Sequence, residues 1–146
     1  MTKVYLLDTN IISHMMRETT GLAAQRFMAI AKANIPAKMT TSVIVQCELQ
    51  FGLLRRPNQR LSAAYEKIMP MLDVMPLTDQ ITQHYAQLRT HLEANGTPIG
   101  PNDALIAAHA LAVNATLVSA DAEFLRVPGL QVENWLSDNE ISGIPA

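Results

Sequence analysis

Four short β-rich runs, each separated from the next by helical sequence, constrain this chain more than any other feature. Val4-Tyr5-Leu6-Leu7, Met39 to Thr41, Leu72 to Met75 and Thr116 to Ser119 are the strand candidates. After the first, Ile11, Ile12, Met15 and Met16 recur at helical spacing behind Asp8-Thr9-Asn10, a cluster suited to a helix start. Further helices are expected over Leu22 to Ala33, opened by Gly21, and from an N-cap at Ser42 through Leu54. Others follow over Gln59 to Met69, over Thr78 to Glu93 with Asn95-Gly96 as a left-handed stop, and over Asn102 to Val113. A short helical piece comes after Asp121. Strands alternating with helices predict an α/β domain with a mostly parallel sheet and right-handed crossovers. The 146 residues suit one domain, assigned to 1–137, with 138–146 read as a loose tail.

Composition narrows the class. Apolar residues make up 49% of the chain, enough for a sizeable core, and charged residues only 16%, against roughly 25% in an average globular protein. That excludes a disordered, solvating chain and a coiled coil with charged flanks. Apolar runs stop well short of the ~18–20 residues of a membrane span. Met1 to Asp8 resembles a first strand more than a signal peptide. The lone Cys47 has no internal disulfide partner and reads as a small buried hydrophobe, so a cytoplasmic protein is expected. The net charge of −2 gives no sign of a polyanion partner.

With charges so scarce, four carboxylates stand out. Asp8 ends the first strand, and Asp121 follows the last by two residues. Asp103 opens a helix that is apolar nearly all round, which predicts deep burial. Glu48 shares a helical face with Ile44 and Gly52. Sites in open parallel sheets lie beyond the carboxyl ends of the strands. Each acid also has a local explanation. Asp8 and Asp121 can cap helices, Asp103 suits a helix N-terminus, and Glu48 can snorkel or meet an arginine. The shared alternative is a hard cation, since a carboxylate on an apolar face is costly unless paired or metal-bound. No cysteine pair competes, and His14, His84, His91 and His109 lack ligand spacing. His109 reads as a hydrogen-bonded core or interface residue, and His84 and His91 as surface residues.

Five stretches, in order, resemble a known family: Leu6-Leu7-Asp8-Thr9-Asn10, Glu48-Leu49-Gln50-Phe51-Gly52, Ile99-Gly100-Pro101-Asn102-Asp103-Ala104-Leu105-Ile106-Ala107-Ala108, Ala115-Thr116-Leu117-Val118-Ser119, and Phe124 to Leu130 with Glu133-Asn134-Trp135. The set is similar to the PIN-domain ribonuclease toxins of the VapC type, from about Lys3 to Trp135. The resemblance implies a three-layer α/β/α sandwich and a Mg²⁺- or Mn²⁺-dependent endoribonuclease. It puts the acidic quartet on Asp8, Glu48, Asp103 and Asp121, with Asp8 and Asp103 the most direct metal ligands. Helpers fall on Thr9, Asn10 and Ser119. It also implies an RNA substrate (often a tRNA, initiator tRNA being the family-based choice), a small cognate antitoxin and a homodimer. Contact with DNA would come only through the antitoxin, and no membrane is involved. Many relatives carry a segment one residue longer, rich in Asn and Thr, before the phenylalanine. Here it reads Ser119-Ala120-Asp121-Ala122-Glu123-Phe124, so Asp121 is assigned as the fourth acid and Glu123 is its competitor.

Arg55, Arg56 and Arg60 cluster after the Glu48 helix and are the candidates for RNA phosphate contact, against the alternative of a solvated helix end. Met15, Met16, Met28 and Met39 fill the core by default, and the resemblance adds a groove for an amphipathic antitoxin segment. A haloacid-dehalogenase-type phosphatase also begins with an Asp after the first strand, but Asn10 replaces its second Asp and no lysine follows Lys67. A PIN-like module that binds without cutting is the non-enzymatic rival.

Overall fold

The computed structural model describes residues 2–137, so the expected tail at 138–146 lies outside the described residues. Five parallel strands form one sheet: β1 (Lys3–Leu7), β2 (Ala37–Ser42), β3 (Asp73–Met75), β4 (Thr116–Val118) and β5 (Val132–Glu133), in the order β3-β2-β1-β4-β5. The connections are α1 (Thr9–Arg17), α2 (Leu22–Lys32), α3 (Val43–Arg55), α4 (Gln59–Ile68), α5 (Ile81–Ala94) and α6 (Pro101–Ala112). α1 packs against α2, α3 and α4, and α5 against α6. With right-handed crossovers, this sets the first four helices on one face and the last two on the other. The expected three-layer α/β/α sandwich is observed, and its sheet is parallel throughout.

The chain leaves β1 toward one side of the sheet, and β4 continues on the other. The carboxyl ends of β1 and β4 therefore flank the point where strand order reverses, and a crevice opens there. β1 is the central strand, with Tyr5, Leu6 and Leu7 fully enclosed. Its neighbour β2 carries buried threonines. They are tolerated because Thr40 and Thr41 donate their hydroxyls to the Tyr5 and Leu7 carbonyls, each at 2.7 Å. Such polar sequence explains why β2 is longer than the three residues its apolar pattern suggests.

Most element boundaries match the sequence reading within a few residues. Asp8 and Ser42 cap α1 and α3 as expected, each accepting a backbone N–H. Gly96, at φ +69°, ends α5 with paired bonds from Thr97 to Leu92 and from Gly96 to Glu93, the αL stop anticipated from Asn95-Gly96. α5 starts at Ile81 rather than Thr78, because Thr78 to Gln80 form a turn. β5 had no strand signal, being two residues long.

Cys47 is exposed, contrary to the buried hydrophobe expected. On α3 the covered line runs through Val45 and Leu49, and Cys47 lies two residues from each, on the far side of the helix. The same geometry leaves Phe51 64% and Leu54 84% exposed. Met15 and Met16 are core residues, Met39 is half-buried and Met28 is exposed. His109 is buried as anticipated, its Nδ1 2.8 Å from the Ser42 hydroxyl, a bond that ties α6 to the start of α3. His91 is exposed, and His84 is half-buried on the same helix. Among the described residues no helix is long and apolar enough to cross a membrane.

Candidate active site

Asp8 is placed by β1 itself. It directly follows the strand and is 5% exposed; its Oδ1 accepts the Thr9 N–H and its Oδ2 the Ser119 hydroxyl, each at 2.8 Å. Ser119 stands just past β4. Its oxygen also accepts the Asp121 N–H at 3.0 Å, while its own N–H reaches the Glu133 carbonyl at 2.9 Å. Asn10 adds two links, donating to the Ser119 hydroxyl at 3.4 Å and accepting the Ala120 N–H at 3.2 Å. These bonds join the loops after β1 and β4 into one floor.

Glu48 faces this floor from the second turn of α3, where its Oε1 accepts the Thr9 hydroxyl at 2.9 Å. Asp103 sits in the first turn of α6 and is half-buried rather than deep. The helix begins at Pro101 on the crevice rim, and burial sets in only from Ala104. Asp121 caps the following short turn by accepting the Glu123 N–H at 2.9 Å. The four acids, with Thr9, Asn10, Ser13 and Arg17, line one cavity of about 380 Å³, and Ser119 lies directly beneath them.

Glu123 is not part of that lining, but it is close. One carboxylate oxygen from each of Asp103, Asp121 and Glu123 lies within 4.8 Å of the others. Glu123 also approaches Arg126 at 4.0 Å. Arg55, Arg56 and Arg60 are all exposed; only Arg56 borders a cavity next to the acids, while Arg60 donates to the Arg17 carbonyl at 3.5 Å. Ser13 was not among the residues singled out from the sequence, and Arg17 was noted only as a basic residue after the first helix, with phosphate contact assigned to Arg55, Arg56 and Arg60 instead. Their signal was present: Thr9, Ser13 and Arg17 follow at four-residue intervals, a polar stripe along one face of α1.

Arg17 lines the cavity, but the four acids lack an ion-paired cation within the described chain. Among the described residues the ion pairs join Lys3 to Glu133, Lys38 to Asp73, Arg89 to Glu93 and Arg126 to Glu123, so none neutralises the four acids. Burial pushes the Asp103 carboxyl up to about 6, helped by Asp8, Asp121, Glu48 and Glu123. Burial also raises Asp8, opposed by its bonds from Ser119 and Thr9. A pocket of oxygen donors that repel one another, in which Asp103 and Asp121 come within reach of a single ion together with the adjacent Glu123, fits a hard divalent cation.

The strain has a measurable consequence. A carboxyl whose folded pKa is raised binds protons that the unfolded chain has released, so its contribution falls as pH rises from the unfolded value of 3.8 to about 6. Asp103→Asn removes that penalty. In chelator, the variant matches the parent near pH 4 and is more stable at pH 7 by roughly 1 kcal/mol, a figure reduced for solvent screening in the open pocket. Thermal melts of both proteins at each pH check this; equal midpoints at pH 7 contradict it. The comparison is made at fixed pH because burial lowers the His109 pKa, which acts in the opposite direction.

This constellation stands at the switch point of a parallel sheet, in a nuclease-type α/β domain, and the chain belongs to the PIN-domain family, whose model matches residues 5–130. Within the family it is 37% identical to Ribonuclease VapC2 of Rickettsia felis over 134 residues, covering 90% of this chain and 98% of that one. It is 31% identical to the tRNA(fMet)-specific endonuclease VapC of Salmonella typhimurium, over 90% of this chain and 97% of the relative. Among solved structures, VapBC2 from Rickettsia felis bound to a DNA fragment from its promoter superposes with a TM-score of 0.82 at 34% identity, covering 90% and 98% of the two chains.

Proposed function

We propose that this chain is the endoribonuclease toxin of a toxin–antitoxin pair, acting in the cytoplasm with Mg²⁺ or Mn²⁺. The observation that carries the reading is the convergence of Asp8, Glu48, Asp103 and Asp121 on one cavity, with no cation of the described chain paired to them. The ribonuclease names of the relatives support RNA as the substrate, and the Salmonella relative's name supports a tRNA, the initiator tRNA included. The Rickettsia complex supports an antitoxin partner, with DNA contact arising through that partner. Family membership sets aside the haloacid-dehalogenase reading.

Asp8 and Asp103 would hold the cation, with Asp121 and Glu48 completing the oxygen set and Glu123 near Asp103 and Asp121. A bound divalent ion supplies an acidified water and neutralises charge developing on the phosphate. The chain's own groups do the rest. Ser119 fixes the Asp8 carboxylate and the Asp121 backbone together, so two acids from different strands keep one spacing. Thr9 occupies Oε1 of Glu48, leaving Oε2 to accept the proton of the attacking water. Both hydroxyls thus orient carboxylates.

The test is cleavage of purified tRNA with Mn²⁺ or Mg²⁺ and with chelator. Cutting that needs the ion and leaves no cyclic phosphate is the expected result, since water is the nucleophile. An inert protein under all metal conditions would favour the non-catalytic module. Co-expression with a cognate antitoxin should suppress the cutting.

A further inference from the structure

A second cavity, about 220 Å³, opens beside the acid-lined one and shares Thr9, Ser13, Arg17 and Glu48 with it. Its floor is apolar (Met16, Leu49, Leu53 and Leu61), and Arg56 stands at its edge. We propose that this cavity, between α1, α3 and α4, holds the nucleotide next to the scissile phosphodiester, its base on the apolar floor and its phosphate between Arg17 and Arg56. The proposal rests on the nuclease reading above and adds the path of the RNA strand to it.

Two independent features point to such a ligand. The first is unspent charge. Arg17 lines a cavity with four acids yet forms no ion pair with any of them, and neither its guanidinium nor that of Arg56 donates a hydrogen bond among the described residues. Two free guanidiniums bordering one cavity suit a phosphate, which they can bind through paired N–H donors.

The second is Gly52. It lies inside α3 and lines the cavity, but a Cβ there would meet nothing within 4 Å, and its backbone is not left-handed. Neither packing nor conformation calls for glycine, though glycine in a helix interior costs roughly 1 kcal/mol relative to alanine. Its bare backbone leaves that stretch of the cavity wall free of a side chain. An apolar floor with cations at the edge matches a base and its phosphate, whose chain then runs onto the acids across the shared wall.

The experiment measures binding of a short, labelled, mixed-sequence single-stranded RNA by anisotropy, in Mg²⁺, on an Asp103→Asn background that stops cleavage. Arg17→Ala and Arg56→Ala should each weaken binding about tenfold and flatten the salt dependence, by about 0.7 in the log–log slope per lost phosphate contact. Gly52→Leu should weaken binding comparably with an unchanged salt slope, while its melting midpoint does not fall, because leucine favours helix. Unchanged affinity in Gly52→Leu overturns the proposal, whatever the arginine variants do. So does a result in which the three variants lose only a protein inhibitor and not RNA, which would assign the cavity to a protein segment. If the unmutated protein cuts no RNA with any metal, the nuclease reading fails, and the binding pattern still decides the cavity.

Discussion

Asp8→Asn and Asp103→Asn each reduce RNA cleavage by at least about a hundredfold with the fold intact. A hundredfold is about 2.7 kcal/mol of transition-state stabilisation at roughly 1.36 kcal/mol per tenfold, a modest demand on groups that hold a catalytic cation. The asparagine variants separate charge from shape. At Asp8 the amide oxygen still caps α1 through the Thr9 N–H, and asparagine is as good an N-cap as aspartate. Ser119 now donates to an uncharged group or accepts from one, which its hydroxyl allows. At Asp103 the variant relieves a carboxyl held up to about 6 by burial and by four neighbouring acids. The metal-free protein therefore becomes more stable as it becomes inactive. A mere structural acid would show the reverse, losing stability and activity together. Cleavage rates and melting midpoints on the same preparations check both halves. Retention of more than about a tenth of parental activity in either variant would refute the assignment of that residue.

The candidate site was more legible in the sequence than the packing around it, and the reason is physical. Asp8 was visible because a β-rich run ends on it, and Asp103 because a lone charge opens an apolar helix. A strand end and a helix start are local events that local sequence reports. What local sequence does not report is which side of a mostly apolar helix meets the core. On α3 apolar residues occur on every side between Val43 and Leu54, yet only Val45 and Leu49 are fully covered. Cys47 was misplaced for that reason. Arg17 was ranked behind the Arg55–Arg60 cluster for a related one: a stripe at Thr9, Ser13 and Arg17 acquires meaning only when the crevice is seen to run along that face. The rivalry between Asp121 and Glu123 turned on a two-residue offset. The structure puts Asp121 in the cavity wall and Glu123 beside it, so both belong to the oxygen cluster while one lines the pocket.

Trp135→Ala destabilises the protein by about 3–5 kcal/mol, the usual range for truncating a buried tryptophan, and it impairs the site before it unfolds the chain. Trp135 is fully buried; its ring meets Tyr5 of β1 at 5.6 Å, and its Nε1 donates to Glu133 at 3.2 Å. Glu133 in turn takes Lys3 at 2.8 Å, and Lys3 stands 4.9 Å over the Tyr5 ring. This cluster is what secures β5, a strand of only two residues that could not hold its place through backbone pairing alone. The Glu133 carbonyl accepts the Ser119 N–H, and Ser119 sets the spacing of Asp8 and Asp121. Loosening Trp135 therefore reaches the acids through three hydrogen bonds. Urea unfolding gives the stability loss, and hydrogen exchange at the Ser119 amide reports the local opening. Trp135→Phe, which keeps most of the ring contact and loses only the bond to Glu133, should recover more than half of the stability. A loss below about 1 kcal/mol in Trp135→Ala, or a Ser119 amide as protected as in the parent, would show that β5 is held by something other than this ring.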